Sequence, residues 1–332
     1  MILVTGGTGL VGAHLLLHII EADSAAQSKV RATYRNFSSI EKTKSLFDRY
    51  HKSTLFDRID WVQADILDIP ALTTAFEGIT MVYHCAAYIS FDPRDENKLR
   101  KTNIEGTANI VNLAIAKRVK KLCHISSTAA LGDVISTETI ITEEAEWNPE
   151  KQHSDYAISK YGAEMEVWRA HQEGLDVIIV NPGVIIGPGF EDQGSGQLIK
   201  KIANGLSYYT LGSTGFITVT DVVSITYELM NSPIKNERYT LIAENIVFRD
   251  FFNIVANALQ VKQPHKEASP LLLEVAWRID ALLARILNKK RKLTKAAAVA
   301  SYTKSTYANE KIKTALNIKF IDIEEYIKMN FS

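Results

Sequence analysis

Over the first 180 positions, short apolar runs alternate with longer stretches whose apolar residues recur at helical spacing. Ile2–Thr5, Val30–Tyr34, Ile59–Gln63, Met81–His84, Lys121–Ile125 and Val177–Val180 read as strands. Leu10–Ala22, Ala71–Phe76, Leu99–Lys117 and Tyr156–Glu173 read as helices between them. Strand and helix in alternation predict an α/β protein with a parallel, doubly wound sheet, and ligands in such sheets bind beyond the carboxyl ends of the strands. After Asn181 the pattern breaks: Asn181-Pro182-Gly183, Gly187-Pro188-Gly189 and Gly194-Ser195-Gly196 follow in quick succession and mark loops. A smaller lobe of helices and a few strands is expected beyond them. The predicted division is a sheet domain over 1–181 plus about 216–243, and a substrate lobe over 182–215 and 244–332.

The 332 residues suffice for one large domain or two fused ones. Lys and Arg (38) balance Asp and Glu (38), so no global field favours nucleic acid or an anionic surface, and only local patches could. The two cysteines, Cys85 and Cys123, each lie in an apolar run and read as buried thiols acting as small apolar residues. Two are too few for a disulfide framework or a thiolate metal site, so no metal is expected. Met1 runs directly into Ile2-Leu3-Val4, and no uncharged apolar stretch of about 18 residues occurs. Neither a signal peptide nor a membrane span is expected, and the cytoplasm is the expected compartment.

The first chemical motif is Thr5-Gly6-Gly7-Thr8-Gly9-Leu10-Val11-Gly12, placed between a strand and a helix. Glycines at 6, 9 and 12 permit a tight turn, a close approach of backbone to a pyrophosphate, and close helix–strand packing. The helix start then offers N–H groups to the phosphates. A glycine pattern alone is weak, but its strand–turn–helix context makes it a dinucleotide site and the sheet Rossmann-type. At the end of the second strand, Arg31-Ala32-Thr33-Tyr34-Arg35-Asn36, no carboxylate is present to bond a ribose 2′-OH. Arg35, with Arg31 as helper, suits a 2′-phosphate, so NADP is expected, with NAD the alternative. Asp65-Ile66 follows the third strand, where a carboxylate can accept from the adenine amino group. Asp68 reads as a cap for the helix beginning near Pro70.

Tyr156 and Lys160 are four residues apart in a helical segment and share a face. Free tyrosine, with a pKa of about 10, is a poor base at neutral pH. A neighbouring ammonium favours the phenolate, and the pair can then exchange a proton with a carbonyl or alcohol. That spacing is common by chance. What raises its weight is Ser126-Ser127-Thr128 at the carboxyl edge of the fifth strand, where a hydroxyl can hold a substrate oxygen.

With these residues the chain resembles the extended short-chain dehydrogenase/reductases, the NAD-dependent epimerase/dehydratase superfamily, over nearly its whole length. Further matching elements are His84-Cys-Ala-Ala87, Asn103-x-x-Gly106-Thr107-x-Asn109 and Asn181-Pro182…Gly187-Pro188. The resemblance implies Tyr156 as general acid/base, Lys160 on the tyrosine and the nicotinamide ribose, and Ser127 as the substrate-orienting hydroxyl, with Ser126 as fallback. It also implies cofactor contacts from Gly6, Thr8, Gly9, Leu10, Val11, Gly12, Arg35, Asp65, Ile66, Ala86, Ala87, Asn103, Ser126, Tyr156, Lys160, Pro182 and Val184. Asn103 is expected to tie helix to strand near the site. Family members often dimerise through the helices here at Leu99–Lys117 and Tyr156–Glu173, so a homodimer is implied.

The family holds both nucleotide-sugar enzymes and carbonyl reductases. Val184 stands where the sugar branch often has an Asn for the diphosphate, and no Arg occurs between Arg169 and Arg238 to grip one; Lys200 and Lys201 could substitute, though they read as a solvated face. The Asn-Pro-x-x-x-x-Gly-Pro form, Arg35 and the tail Leu293-Thr…Tyr307…Lys311-Ile…Leu316 look more like the dihydroflavonol-reductase and 3β-hydroxysteroid-dehydrogenase branch. That branch implies hydride transfer between NAD(P)(H) and a carbonyl or secondary alcohol of a largely apolar small molecule. The alternative is a nucleotide-sugar epimerase or dehydratase that retains its NAD; a dinucleotide-binding scaffold without turnover is the third reading. Tyr88, Phe91, Val184, Ile185, Tyr208 and Phe216 are candidate lining for an apolar pocket, or ordinary core.

Leu271–Leu287 is apolar for a surface helix, with Glu274, Arg278 and Arg285 on one face and Asn288-Lys289-Lys290-Arg291-Lys292 directly after it. Two readings stand: a helix covering the substrate cleft beside a solvated basic loop, or peripheral membrane contact through 271–292. Asp280 points away from the polar stripe and has no evident partner in the sequence.

Overall fold

The structure is a computed structural model and describes residues 1–23, 29–133, 140–291 and 293–331. β1 (Ile2–Thr5), β2 (Val30–Tyr34), β3 (Ile59–Gln63), β4 (Met81–His84) and β5 (Lys121–Ile125) form as the apolar runs predict. β6 is longer than its apolar run, Asp176–Pro182, because it pairs on both sides, with β5 and with a later strand. That later strand belongs to the second half of the chain, where β7 (Val184–Ile186), β8 (Tyr208–Tyr209), β9 (Ser213–Thr218), β10 (Glu237–Leu241), β11 (Glu244–Val247) and β12 (Lys266–Glu267) follow.

The main sheet has seven strands in the order β10-β6-β5-β4-β1-β2-β3, all parallel, and is a doubly wound Rossmann-type α/β sheet. Alternate residues of each strand enter opposite cores: Val4, Cys123, Ile125, Ile178 and Val180 join one, Leu3, Leu122, Val177 and Ile179 the other. Helices Leu10–Ala22 and Val219–Asn231 cover the first face. Helices Ile69–Ala75, Gly106–Ala116 and Asp155–Gln172 cover the second. From β1 the chain winds outward through β2 and β3, then returns to place β4 on β1's other side. The crevice between β1 and β4 is therefore the topological switch point where such sheets take their ligand.

Local chemistry sets the helix starts. The Asp68 carboxylate accepts from Ala71 N–H (3.1 Å), the cap expected for that helix. The Ser154 hydroxyl accepts from Ala157 N–H (3.1 Å), starting the next long helix at Asp155 and placing Tyr156 in its first turn. Between β4 and β5 the helix over Glu96–Ala116 contains a wide π-type turn at Arg100–Glu105, which carries Asn103.

The rest of the chain builds small sheets β11-β9-β7 and β12-β8 with helices around them. The final helices, Glu310–Leu316 and Ile323–Phe331, return Ile312, Ile323, Tyr326 and Ile327 to the first core. Helices Pro270–Ile286 and Lys295–Tyr302 instead pair on a separate small cluster of Ala268, Leu273 and Ala298, with Trp277, Leu293 and Tyr302 beside it. Among the described residues no helix is long and apolar enough to cross a membrane, and no group of His, Cys, Asp or Glu could hold a metal ion.

Candidate active site

The turn after β1 is shaped by what its glycines leave out. Gly6 has φ +69°, and a Cβ there would lie 2.7 Å from the Ala86 nitrogen at the end of β4. A Cβ on Gly12 would lie 2.2 Å from the Gly6 carbonyl oxygen. Gly9 N–H donates to Gly6 O (3.0 Å) and Ala13 N–H to Gly9 O (2.9 Å), so the turn feeds directly into the helix Leu10–Ala22. The Thr43 hydroxyl braces it from outside by donating to Gly7 O (3.0 Å). The result is a backbone cradle facing the switch point, with the first N–H groups of a helix behind it, and a dinucleotide pyrophosphate fits it. Ala86 lies against the turn on the β4 side, its nitrogen next to the Gly6 Cβ position.

Beside it, Arg35, Asn36, Gln63, Ala64, Asp65, Asp68 and Ala71 line a cleft of about 610 Å³. Arg35 is exposed there, while Arg31 is not available as its helper. Arg31 pairs with Asp60 on β3 (2.8 Å) and donates to the carbonyls of Thr74, Ala75 and Glu77, closing a helix C-terminus at the sheet's other end. One Asp65 oxygen accepts from Leu67 N–H (2.9 Å), holding the carboxylate in its own loop at the cleft wall.

Ser127 and Tyr156, 29 residues apart in sequence, are brought together, with the Ser127 hydroxyl beside the Tyr156 phenol. Ser127 Oγ accepts from Ala129 N–H (3.2 Å), which starts the short helical turn after β5 and aims the hydroxyl. Burial pushes the Tyr156 phenol upward and the neighbouring Ser127 hydroxyl opposes it. Lys160 Nζ, one helical turn after Tyr156, donates to the Ile125 carbonyl (2.9 Å) at the end of β5. Burial lowers Lys160 to about 8, against the Glu164 carboxylate, which raises it.

Ser126 turns the opposite way. Its hydroxyl donates to Glu164 Oε1 (2.5 Å) beneath the sheet edge, so its side chain is neither the substrate hydroxyl nor a cofactor contact. Asn103 is likewise a brace and not a ligand. Its amide donates to Tyr88 O (2.9 Å) and Ser159 Oγ (2.9 Å) and its oxygen accepts from Tyr88 N–H (2.7 Å), which uses both amide protons within the protein. It thus ties the wide helical turn to the β4 loop and to the helix carrying Tyr156 and Lys160. Next to it, His84 bridges Thr5 Oγ1 (2.7 Å) and Thr107 Oγ1 (3.0 Å), and burial lowers its imidazole to about 3, so the ring is a neutral strut.

Glu164 is the residue the sequence reading passed over. It is fully buried one turn after Lys160 and accepts from Ser126, from Asn181 Nδ2 (2.5 Å) and from Arg238 (3.3 Å). The same Asn181 amide donates to Ser127 O (2.9 Å), linking Glu164 to the catalytic loop. The four-residue step from Lys160 was the available signal, since it puts Glu164 on the same helix face. Arg238 also donates to Glu143 O, so the first arginine after Arg169 is committed to this internal network and not to an anion in the cleft.

The candidate aromatic lining divides. Phe216 is fully buried and stacks on Phe251 (centroids 4.3 Å), so it is core. Phe91 is half exposed and meets the Tyr156 ring edge-on (5.6 Å), placing an apolar wall beside the phenol. The Tyr88 hydroxyl donates to Asp95 (2.9 Å). Val184 and Ile185 pair with Phe216 and Ile217 of β9 just beyond Pro182, and Tyr208 is exposed on β8. The thiols of Cys85 and Cys123 are pushed up by burial, Cys85 to about 12, as expected of inert packing groups.

The family model for the NAD dependent epimerase/dehydratase family matches residues 2–241, from β1 through the strand that completes the main sheet. The chain belongs to the NAD-dependent epimerase/dehydratase family. Two relatives are reductase-like or sterol-related by name. A putative dihydroflavonol 4-reductase of Synechocystis is 30% identical over 292 residues, covering 85% of this chain and 79% of the relative. Sterol demethylase protein B of Methylococcus capsulatus is 28% identical over 291 residues, covering 87% and 84%. Among solved structures, the UDP-glucose 4-epimerase of Thermotoga maritima superposes with a TM-score of 0.75 at 20% identity, covering 99% of this chain and 96% of that one. That likeness is one of fold. Membership in the family makes this chain an enzyme of nicotinamide-dinucleotide type, and its relatives include reductases.

Proposed function

We propose that this family member is an NADP-dependent oxidoreductase that moves hydride between the nicotinamide and a carbonyl or secondary alcohol of a largely apolar small molecule. The observation that carries the reading is the convergence of the Ser127 hydroxyl, the Tyr156 phenol and Lys160, whose ammonium donates to the Ile125 carbonyl, at the carboxyl edge of β5 beside the glycine cradle. In this reading Gly6, Thr8, Gly9, Leu10, Val11 and Gly12 hold the pyrophosphate through backbone, Arg35 takes the 2′-phosphate, Asp65-Ile66 border the adenine, and Ala86-Ala87, Pro182 and Val184 flank the rest. The bound nicotinamide supplies or accepts a hydride.

The chain's own part is proton transfer and positioning. Ser127 holds the substrate oxygen, Tyr156 gives its phenolic proton to that oxygen in reduction and takes it back in oxidation, and Lys160 supports the ribose and the phenolate. Phe91 gives the apolar substrate a wall next to the phenol. Val184 and the commitment of Arg238 to Glu164 and Glu143 weigh against a sugar diphosphate. The division into a dinucleotide domain (1–181 with about 216–243) and a substrate lobe belongs to the same reading, as does a homodimer through helices Gly106–Ala116 and Asp155–Gln172.

The test is a screen of NADPH against NADH consumption over ketones, aldehydes, sterols and nucleotide sugars. Tyr156→Phe is expected to lower kcat by roughly 10²- to 10⁴-fold. Arg35→Ser is expected to raise the KM for NADPH by about tenfold or more while leaving NADH nearly unchanged, since one charge-assisted contact is lost. Tightly co-purifying NAD with interconversion of a UDP- or dTDP-sugar, and no net nicotinamide turnover, would establish the epimerase alternative instead.

A further inference from the structure

The helix Pro270–Ile286 does not turn its broad apolar face into the protein. Leu273 and Ala284 are its buried residues, and with Trp277 they seat it on the small cluster shared with helix Lys295–Tyr302. Glu274 and Arg278 pair on a second, polar edge (2.6 Å). The third face carries Leu271, Leu272, Val275, Ile279, Leu282, Leu283 and Ile286, continued by Leu287, each between 44% and 75% exposed. At i, i+3, i+4 and i+7 these form one continuous stripe. Eight large residues so exposed surpass the roughly 300–600 Å² typical of the largest apolar patch on a monomer. The stripe therefore stays uncovered by the described residues of the chain.

Three further features give the face an orientation. First, the chain between 270 and 295 holds seven Lys and Arg against two acids, although the whole chain is neutral. Lys289, Lys290 and Arg291 stand directly at the end of the apolar stripe, the first two exposed and Arg291 half-buried. Second, that basic loop is held in place. Asp280, expected to lack a partner, accepts from Leu293 N–H (3.1 Å), and the Arg291 N–H reaches Asp92 Oδ2 (3.5 Å). Third, Asp92 follows Phe91, the ring against Tyr156, and Ile89 and Phe91 are themselves about half exposed. The apolar stripe, the basic loop and the mouth of the candidate active site thus adjoin one another.

We propose that helix Pro270–Ile286 is an interfacial anchor that seats the enzyme on an anionic lipid bilayer. Its 17 residues span about 25 Å, too short and too charged along one edge to cross, but suited to lie in the interface plane with the stripe in the acyl boundary. The cations sit where phospholipid headgroups would meet them, each near-surface Lys or Arg strengthening binding by about fivefold. A second copy of this chain fits the face less well. Parallel stacking sets basic loop on basic loop, and antiparallel stacking sets it near Lys262, Lys266 and Glu267, two cations against one acid. The anchor is independent of the cofactor reading. Its partner, a lipid surface, nevertheless agrees with an apolar substrate reaching Tyr156 past Phe91.

The test is flotation of the full-length protein with phosphatidylcholine vesicles containing about a quarter phosphatidylglycerol, against pure phosphatidylcholine. Binding is expected to the anionic vesicles and to fall at 0.5 M salt. Leu282→Glu with Ile286→Glu, both surface changes, is expected to lower partitioning by more than tenfold, and Lys289→Glu with Lys290→Glu by a comparable factor. Cofactor binding in solution stays unchanged in all of them, which separates this result from a failure of the active-site reading. Absence of vesicle binding, or variants that bind equally, overturns the proposal. So does sedimentation showing that the Leu282/Ile286 pair instead breaks a dimer whose vesicle binding is nil.

Discussion

Replacing Glu164 by Gln removes one buried charge while keeping the side chain's volume. Every group that meets the carboxylate is a donor: the Ser126 hydroxyl, the Asn181 amide and the Arg238 guanidinium. Gln keeps one acceptor and turns an NH₂ toward donors, so the anchor on Asn181, and through it on the Ser127 carbonyl, loosens. The larger consequence is electrostatic. Burial already lowers Lys160 to about 8, and Glu164 is the first of the groups holding it up. Unit charges one helical turn apart, roughly 6 Å, interact by roughly 2–3 kcal/mol at an effective dielectric of about 20. That equals roughly 1–2 pH units. The alkaline loss of activity, centred near 8 in the parent, should move to about 6–7 in the variant. With kcat/KM followed from pH 5 to 9 on the best carbonyl substrate, the deficit attributable to Lys160 is expected to be below about twofold at pH 5.5. It should grow to roughly five- to fiftyfold at pH 8, in proportion to the lost ammonium fraction. Circular dichroism on the same samples checks that the fold is kept. A uniform loss with superimposable pH profiles would refute the reasoning, because a merely structural role lowers activity without moving the midpoint.

Two further outcomes follow from the cradle and from buried imidazoles. Gly12→Ala sets a methyl 2.2 Å from the Gly6 carbonyl, with no flexible side chain to yield, so dinucleotide affinity measured by calorimetry is expected to fall by about 100-fold or more while unrelated surface substitutions leave it intact. His14 is lowered to about 4 and His84 to about 3, both chiefly by burial, so the unfolded chain takes up protons below about 6.5 that the folded one refuses. Stability from each is complete above that pH and is lost as pH falls toward the folded values, by roughly 2–3 kcal/mol per histidine at pH 4.5. Thermal unfolding should show Tm dropping between pH 6.5 and 4.5, and His14→Phe, whose ring would sit among Tyr50 and Phe190, should flatten that slope; an unchanged slope would count against it.

Six of the seven strands of the main sheet, the helix Leu10–Ala22, the glycine cradle and the Tyr156–Lys160 step were legible in the chain because each rests on local pattern, whereas the edge strand β10 was not named from it. A strand buried on both faces is mostly apolar, a turn with φ near +69° calls for Gly, and four residues span one helical turn. Asp68 as a cap was legible for the same reason. What sequence alone left open were choices between neighbours with identical chemistry. Ser126 and Ser127 are adjacent hydroxyls, and only Glu164, 38 residues away, and Tyr156 on the facing helix decide which one turns outward. Arg31 lies on β2 and Arg35 just past its end, and Asp60 with three helix-end carbonyls decides that Arg31 is occupied. Phe216 and Phe91 are equal as aromatics until packing buries one and leaves the other beside the phenol. The helix Pro270–Ile286 makes the same point at larger scale. Periodicity determines that it has an apolar stripe, but whether protein or solvent meets that stripe depends on which face its neighbours cover, and that is settled only when distant segments pack.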